Sequence, residues 1–143
     1  MKLIVATGVC MLFVAAVIWA QPSSAGKPYK VVFDLTTDDP ADQAAVVRWI
    51  GEVASANPAN EMEVVMYGRG PSIVVAGRST LADQVKEAIA RPHVSFRVCE
   101  IAMRNQKIDK SQLLPHVMTV ADGIGEITAK QKDGWGYIKV VAH

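Results

Sequence analysis

VSFRVCEIAMRN, residues Val94–Asn105, places a strand signal directly before a helix signal. Val94 to Val98 is dominated by β-branched and aromatic residues, which favour a strand. Glu100 to Asn105 has the composition of a short helix, and Cys99 stands at the junction. A strand that runs straight into a helix begins a βαβ unit, so this stretch predicts an α/β fold.

The same alternation continues in both directions along the chain. Residues 73–76 are apolar and fit either a strand or a helical turn. About five strands separated by helices predict a three-layer α/β sandwich, with a mainly parallel sheet and helices on both faces. The other strands are predicted over residues 29–34, 62–67, 117–120 and 137–141, and the other helices over 40–56, 81–90 and 123–132.

Turn-forming residues mark the helix ends. Asp39 is the expected N-cap of the first helix, with Pro40 as its first residue. Asn57-Pro58 should end that helix, because proline disfavours the α conformation in the residue before it. Ser79 or Thr80 is the expected cap of the second long helix.

The N-terminus has the organisation of a secretory signal peptide. Lys2 precedes an uncharged apolar run, and Ser23-Ser24-Ala25 supplies the small residues that a signal peptidase reads. We therefore predict a signal peptide over residues 1–25 and a single domain over residues 26–143, in a periplasmic or exported protein. Cleavage after Ala20 is a second option. The alternative is an uncleaved anchor that holds the domain at the membrane, facing the periplasm, because the apolar run is close to spanning length.

Charge composition argues against a nucleic-acid partner. Lys2 is the only charged residue of the predicted signal peptide, so the domain that follows has equal numbers of basic and acidic residues. Nucleic-acid binding normally needs a basic patch and a high isoelectric point.

Cys99 is the main candidate for chemistry. It follows a predicted strand at the carboxyl edge of the sheet, where α/β proteins bind ligands. The start of a helix lowers a thiol pKa, and Arg97 and Arg104 would add positive charge while Glu100 would oppose it. The backbone N–H groups of Glu100 and Ile101 would stabilise a bound anion. An unpaired cysteine in an exported chain indicates a reactive thiol or an intermolecular bridge, and a buried structural cysteine is the alternative.

Two further groups of residues are weaker candidates. Gly68-Arg69-Gly70 follows a strand and either forms a turn beside the crevice or contributes to ligand binding. His116 precedes the fourth strand and is a weak candidate for an acid or base. His116 and His93 lack metal-ligand spacing, so we predict no metal site.

Four segments resemble the DsrE/DsrF-like (YchN-type) sulfur-relay family, in particular its exported single-domain members. The resemblance implies that Cys99 carries a persulfide, with Arg104 in the helix beside it. The sulfur-transfer members more often have a second basic residue and a glycine where this chain has Asn105-Gln106. The segments are YKVVFD, VVMYGRG, VSFRVCEIAMRNQKI and LLPHVMTVADGIGEITAKQKDGWGYIKV.

The resemblance also has implications for partners. It implies a homo-oligomer, a trimer or a hexamer, with Met118, Ile124 and Trp135 as the first interface candidates. It implies a sulfur donor and an acceptor, which is a protein or a small thiol, and no cofactor. Two other functions stay open: a non-catalytic module that binds a small ligand or partner, with Cys99 structural, and a redox sensor in which Cys99 is reversibly oxidised.

Overall fold

The structure is a computed structural model that describes residues 26–142. The predicted signal peptide, residues 1–25, lies outside the described residues. Within residues 26–142 no helix has both the length and the apolar character needed to span a membrane. The strands are β1 (Lys30–Leu35), β2 (Glu61–Met66), β3 (Val94–Cys99), β4 (Met118–Val120) and β5 (Gly136–Lys139), and the α-helices are α1 (Pro40–Ala56), α2 (Ala82–Ile89), α3 (Glu100–Asn105) and α4 (Gly123–Lys132).

The five strands form one sheet in the order β4-β3-β2-β1-β5, and every neighbouring pair is parallel. Each parallel connection needs a crossover, which the helices provide. The carboxyl ends of all the strands therefore lie at one edge of the sheet. The predicted α/β sandwich with a mainly parallel sheet is confirmed.

Helix α1 begins and ends where the sequence predicts. Asp39 is its N-cap, and the Asp39 carboxylate accepts hydrogen bonds from the backbone N–H groups of Ala41 and Asp42. Pro40 is the first helical residue, and Asn57 is the C-cap. These caps satisfy backbone groups that have no partner inside the helix.

Other boundaries differ from the prediction. Neither Ser79 nor Thr80 is the N-cap of α2, because that position belongs to Leu81, which has no capping side chain. The Ser79 hydroxyl instead accepts a hydrogen bond from the Leu81 N–H, which closes a turn before the helix. In the ambiguous apolar segment 73–76, the first two residues end a 3-10 helix, Gly70–Val74, and Val75 then bridges to Leu113.

One face of the sheet, here called the apolar face, carries the main hydrophobic core. Alternate residues of the three central strands point to this face, and α1, α2 and α3 pack against it. Phe33 on β1 stacks on Trp49 of α1, with the ring centroids 6.4 Å apart. The buried strand residues of this face are Val31, Phe33, Leu35, Met62, Val64, Met66, Phe96 and Val98.

The opposite face, here called the polar face, is covered by α4. Its apolar contacts are few: Val32, Val65 and Ile127 form a small buried cluster, with Tyr67 and Trp135 packed against it. On β1, β2 and β3 the remaining positions of this face are polar or charged or, at the carboxyl end of β3, the cysteine. The polar face therefore positions the groups that could do chemistry.

Candidate functional site

Cys99 lies at the carboxyl end of β3 and is the N-cap residue of α3. Alternation along β3 turns its side chain to the polar face, since Phe96 and Val98 point to the apolar core. The thiol borders a cleft of about 230 Å³ at the carboxyl edge of the sheet, where the sequence predicts a site. The cleft is lined by Tyr67, Gly68, Cys99, Ile101, Ala102, Asn105, Asp122 and Ile124.

Although it borders this cleft, Cys99 is only 4% exposed. The first residue of α4, Gly123, packs directly on it: a Cβ at Gly123 would lie 3.2 Å from the Cys99 Cβ and 3.2 Å from Cδ1 of Tyr67. Both distances are shorter than ordinary van der Waals contact, so glycine lets α4 approach the Cys99 side chain this closely. The start of α4 therefore covers Cys99.

The charges around the cleft differ from those the sequence predicts. None of the residues that line the cleft is basic, and Asp122 adds a carboxylate. Arg97, expected to support the thiolate, instead donates from Nε to Glu63 at 2.7 Å. Arg104 lines a separate cleft of about 360 Å³ on α3, together with Met103 and Ile108. Neither arginine lines the cleft that Cys99 borders.

Of the two residues predicted to offer backbone N–H groups, Ile101 lines the Cys99 cleft and Glu100 lines the neighbouring one. The Glu100 carboxylate accepts hydrogen bonds from Lys110 Nζ and the Thr119 hydroxyl, each at 2.8 Å. The hydrogen bonds from Lys110 and Thr119 lower the pKa of Glu100. Its negative charge is thus directed to these partners.

The three residues of the Gly68-Arg69-Gly70 segment make different contacts, and they do not form one site. Gly68 lines the Cys99 cleft in a left-handed conformation (φ +55°), and its carbonyl accepts a hydrogen bond from the side-chain amide of Gln106. Arg69 does not line the cleft and pairs with Asp38, Nε to Oδ1 at 3.0 Å. Gly70 is buried against β1, and a Cβ at this position would overlap the carbonyl oxygen of Leu35. Only Gly68 belongs to the site.

The histidines lie apart from the cleft. His116 is exposed, has a positive φ of +66°, and precedes β4 by two residues. His93 also has a positive φ and lies just before β3. Since both precede their strands, they lie toward the amino edge of the sheet, whereas Cys99 is at the carboxyl edge. Among the described residues, no group of three or more His, Cys, Asp or Glu could hold a metal ion.

Next to the cleft, Asp34 forms a buried hydrogen-bonded group on the polar face. Its Oδ2 accepts from the hydroxyls of Tyr67 at 3.2 Å and Tyr137 at 2.7 Å, and Lys139 Nζ lies 3.3 Å away. The hydrogen bond to Asp34 raises the pKa of Tyr137 to about 12, and burial, then Asp34, raises that of Tyr67. Asp34 thereby holds the Tyr67 ring, one wall of the cleft.

A second buried group lies under α4. Glu63, only 1% exposed, accepts at Oε2 from Arg97 Nε at 2.7 Å, Lys130 Nζ at 2.9 Å and the Ser95 hydroxyl at 3.1 Å. Burial raises the pKa of Glu63, but the hydrogen bond from Lys130 and the charge of Arg97 outweigh it, so the pKa is lowered. Burial, then the Glu63 carboxylate, raises the pKa of Glu126.

The sequence reasoning missed the Glu63 group, although a signal for it exists. Glu63 interrupts the apolar run of β2, and Ser95 and Arg97 occupy alternate positions of β3. Parallel pairing aligns Glu63 with Ser95 and Val65 with Arg97. Glu63 and Arg97 are therefore diagonal neighbours on one face of the sheet, and opposite charges in that relation indicate a shared polar face.

These features define the class of protein: a three-layer α/β fold with one parallel sheet between helices, and with a thiol beside a cleft at the carboxyl edge of the sheet. The model of the DsrE/DsrF-like family matches residues 30–140, and the chain belongs to that family. The family resemblance predicted from the sequence is confirmed.

Solved structures share this fold. The protein of unknown function MTH1491 from Methanobacterium thermoautotrophicum is 28% identical, with a TM-score of 0.74, over 78% of this chain and 98% of its own. The ychN protein from E. coli is 8% identical, with a TM-score of 0.66, over 79% of this chain and 99% of its own. At 8% identity the second likeness concerns the fold alone. No curated protein matches the chain.

Proposed function

We propose that this protein handles sulfur in thiol-based transfer, with Cys99 as the persulfide carrier. The family to which the chain belongs is associated with sulfur relay. The observation that carries the proposal is the placement of Cys99 at the carboxyl end of β3, bordering a cleft at the sheet edge where α/β proteins bind ligands.

The transfer consists of two displacements at sulfur. The Cys99 thiol loses its proton to water, and the thiolate attacks the outer sulfur of a donor persulfide, R–S–SH. The donor S–S bond breaks, a new S–S bond forms to Cys99 Sγ, and the donor leaves as R–S⁻, which takes up a proton. An acceptor thiolate then attacks the same outer sulfur and releases Cys99. Atoms and charge balance in both steps, and the exchange depends on thiolate fraction and access.

The surroundings of Cys99 define how this thiol would work. Among the residues that line the cleft, Asp122 is the one with a charged side chain, and that charge is negative. Ile101 and Ile124, 43% and 61% exposed, form an apolar rim for an approaching donor. Cys99 therefore exchanges sulfur once a partner has entered the cleft, and the partner supplies the positive charge that the cleft lacks.

The test is the intact mass of a protein spanning residues 26–143 after incubation with polysulfide. The expected gain is about 32 Da per sulfur, reversed by a reducing thiol. Cys99→Ser is the matched control and should show no gain. A gain that persists in the serine variant, or no gain in the parent protein, contradicts the proposal.

The burial of Cys99 favours a second candidate function. A thiol that is 4% exposed and packed under Gly123 resembles a small hydrophobic side chain in a core. In that case the protein is a non-catalytic module whose cleft binds a small ligand or a partner. The folded protein would then resist both polysulfide and iodoacetamide, and would react with iodoacetamide only after denaturation.

We further propose that the protein is exported, on the signal-peptide pattern of residues 1–25. Mass spectrometry of the protein from cell fractions tests this directly. Periplasmic protein that begins at Gly26 supports cleavage after Ala25, and one that begins at Gln21 supports the other site. Protein that retains Met1 in the membrane fraction supports the anchor, and intact protein in the cytoplasm contradicts export.

A homo-oligomer, a trimer or hexamer, completes the proposal. Met118 and Ile124, 41% and 61% exposed, are large apolar side chains on the surface, whereas Trp135 is half-buried against Lys130 and Lys30. Exposed apolar side chains are typical of subunit contacts when they form a patch. Light scattering coupled to size exclusion measures the mass, and Ile124→Lys should dissociate the assembly. A monomeric parent protein contradicts this.

A further inference from the structure

Helix α4 covers Cys99 but is held to the sheet by few apolar contacts. Its first residue, Gly123, packs on the Cβ of Cys99, and Ile124 borders the cleft. Of its ten residues only Gly123 and Ile127 are buried. Ile127 contacts Val32 and Val65, a small cluster compared with the core on the apolar face.

The other attachment of α4 is electrostatic. Lys130 reaches from the last turn of the helix to Glu63, with Nζ 2.9 Å from Oε2. The ammonium also lies 4.3 Å from the centroid of the Trp135 ring. Glu63 is 1% exposed, so this ion pair joins the helix to a carboxylate inside the sheet.

Glu126 makes a second electrostatic contact between α4 and the sheet. Its Oε1 lies 3.8 Å from Arg97 Nε and 3.8 Å from Lys130 Nζ. Its carboxyl group also contacts Glu63, and burial and then the Glu63 carboxylate raise the pKa of Glu126. Two carboxylates thus share two cations beneath α4, and their repulsion when both are charged limits how tightly the helix is held.

We propose that α4 is a lid over Cys99 and that the Glu63–Lys130 contact is its latch. Opening of α4 exposes the thiol, and closure returns it to its nearly inaccessible position beneath Gly123. Glu63 and Lys130 are positioning residues, because they act on Cys99 through the helix and do not touch it. Local opening of a weakly anchored element needs far less free energy than global unfolding. The importance of this lid for sulfur transfer rests on the proposed function.

The test is the rate at which iodoacetamide alkylates Cys99 in the folded protein. Lys130→Met removes the charge and keeps an apolar stem against Trp135, so Glu63 loses its cationic partner on α4 and keeps Arg97 on β3. We expect alkylation to accelerate by roughly 10- to 100-fold, because breaking one side of a buried pair is strongly unfavourable. Lys132→Met on the same helix is the matched control, since Lys132 is exposed and should leave the rate unchanged.

A second variant separates latch loss from general damage. Glu63→Gln combined with Lys130→Met removes both charges of the latch, so α4 no longer covers a carboxylate that has lost its ammonium partner. Alkylation should be at least about threefold slower in the double variant than in Lys130→Met, and so closer to the rate of the parent protein, as expected for residues that interact. Equal rates in the single and double variants contradict the latch.

Hydrogen exchange of the unmodified protein provides a test that no folding failure can remove. Amides of α4 should exchange at least about 10-fold faster than those of β1, β2 and β3, with the same opening equilibrium that limits alkylation. If the amides of α4 are as well protected as those of β2, the lid proposal is wrong. Faster alkylation of Lys130→Met without a polysulfide mass gain in the parent protein supports the lid and contradicts the persulfide function. A mass gain in the parent protein with an unchanged alkylation rate in Lys130→Met supports the persulfide function and contradicts the lid.

Discussion

The two faces of the sheet are built on different principles. On the apolar face, Phe33, Phe96 and their neighbours are fully buried hydrophobic side chains under three helices. On the polar face, one helix covers a small apolar cluster, the Glu63 ion pairs and Cys99. The comparison teaches that the first face supplies stability and leaves the second free to hold charged groups at a cost in stability. Reactive and mobile groups are then expected on the second face.

The largest expected effect comes from the apolar face. Phe96→Ala removes a fully buried ring, so we expect the free energy of unfolding to fall by about 3–5 kcal/mol. Urea denaturation followed by circular dichroism measures the change. Ile127→Ala, on the polar face, should cost less, about 2 kcal/mol, because its small cluster lies next to solvent. An equal or larger loss for Ile127→Ala would remove the distinction between the faces.

Two glycines extend the comparison to backbone packing. Gly70→Ala should lower the free energy of unfolding by about 1–3 kcal/mol, because the new Cβ would overlap the carbonyl oxygen of Leu35, which cannot rotate away. Gly123→Ala meets the side chains of Cys99 and Tyr67 instead, and alanine also has the better helix propensity. Its cost should be smaller, within about 1 kcal/mol. Thermal unfolding of both variants decides, and the reverse order would contradict this account.

The smallest effect concerns the hydrogen bonds to Asp34. The pKa of Tyr137 is raised to about 12 from its ordinary 10.0. The folded state thus binds this proton more tightly, so its contribution to stability is complete below pH 10 and is lost as the pH rises toward 12. Tyr137→Phe should therefore flatten the decline in unfolding free energy over this range.

Tyrosinate absorbance provides the direct check on Tyr137. The parent protein should show one more tyrosine that ionises late than Tyr137→Phe does. At neutral pH the same variant should lose about 0.5–1.5 kcal/mol, the usual value of one hydrogen bond. An unchanged titration curve would contradict the bond to Asp34.

The sequence predicts the fold well because the fold depends on short-range signals. Asp39-Pro40 fixes the start of α1, and strand–helix alternation predicts the parallel sheet. The predicted N-cap of α2 was wrong because the Ser79 hydroxyl accepts from the N–H of Leu81 and closes a turn before the helix begins. Such local hydrogen bonds compete with capping and depend on loop geometry.

The site was only partly predictable for a related reason. The edge position of Cys99 follows from the order of elements, whereas its cover by Gly123 depends on how α4 crosses the sheet. Arg97 has the right location for a thiolate partner, yet it pairs with Glu63 on the neighbouring strand. Strand register and helix crossing decide which charges meet, and neither is encoded within a single segment.

The buried Glu63 also has a consequence for strand alignment during folding. In β2, MEVVM offers apolar residues to both faces, so hydrophobic pattern alone discriminates weakly between alignments. A shift by one residue would turn the Glu63 carboxylate into the core around Phe33 and Phe96 and separate it from Arg97 and Lys130. Burying an unpaired charge is costly, so the misaligned sheet is rejected. The same carboxylate thus helps to specify the register of the central strands.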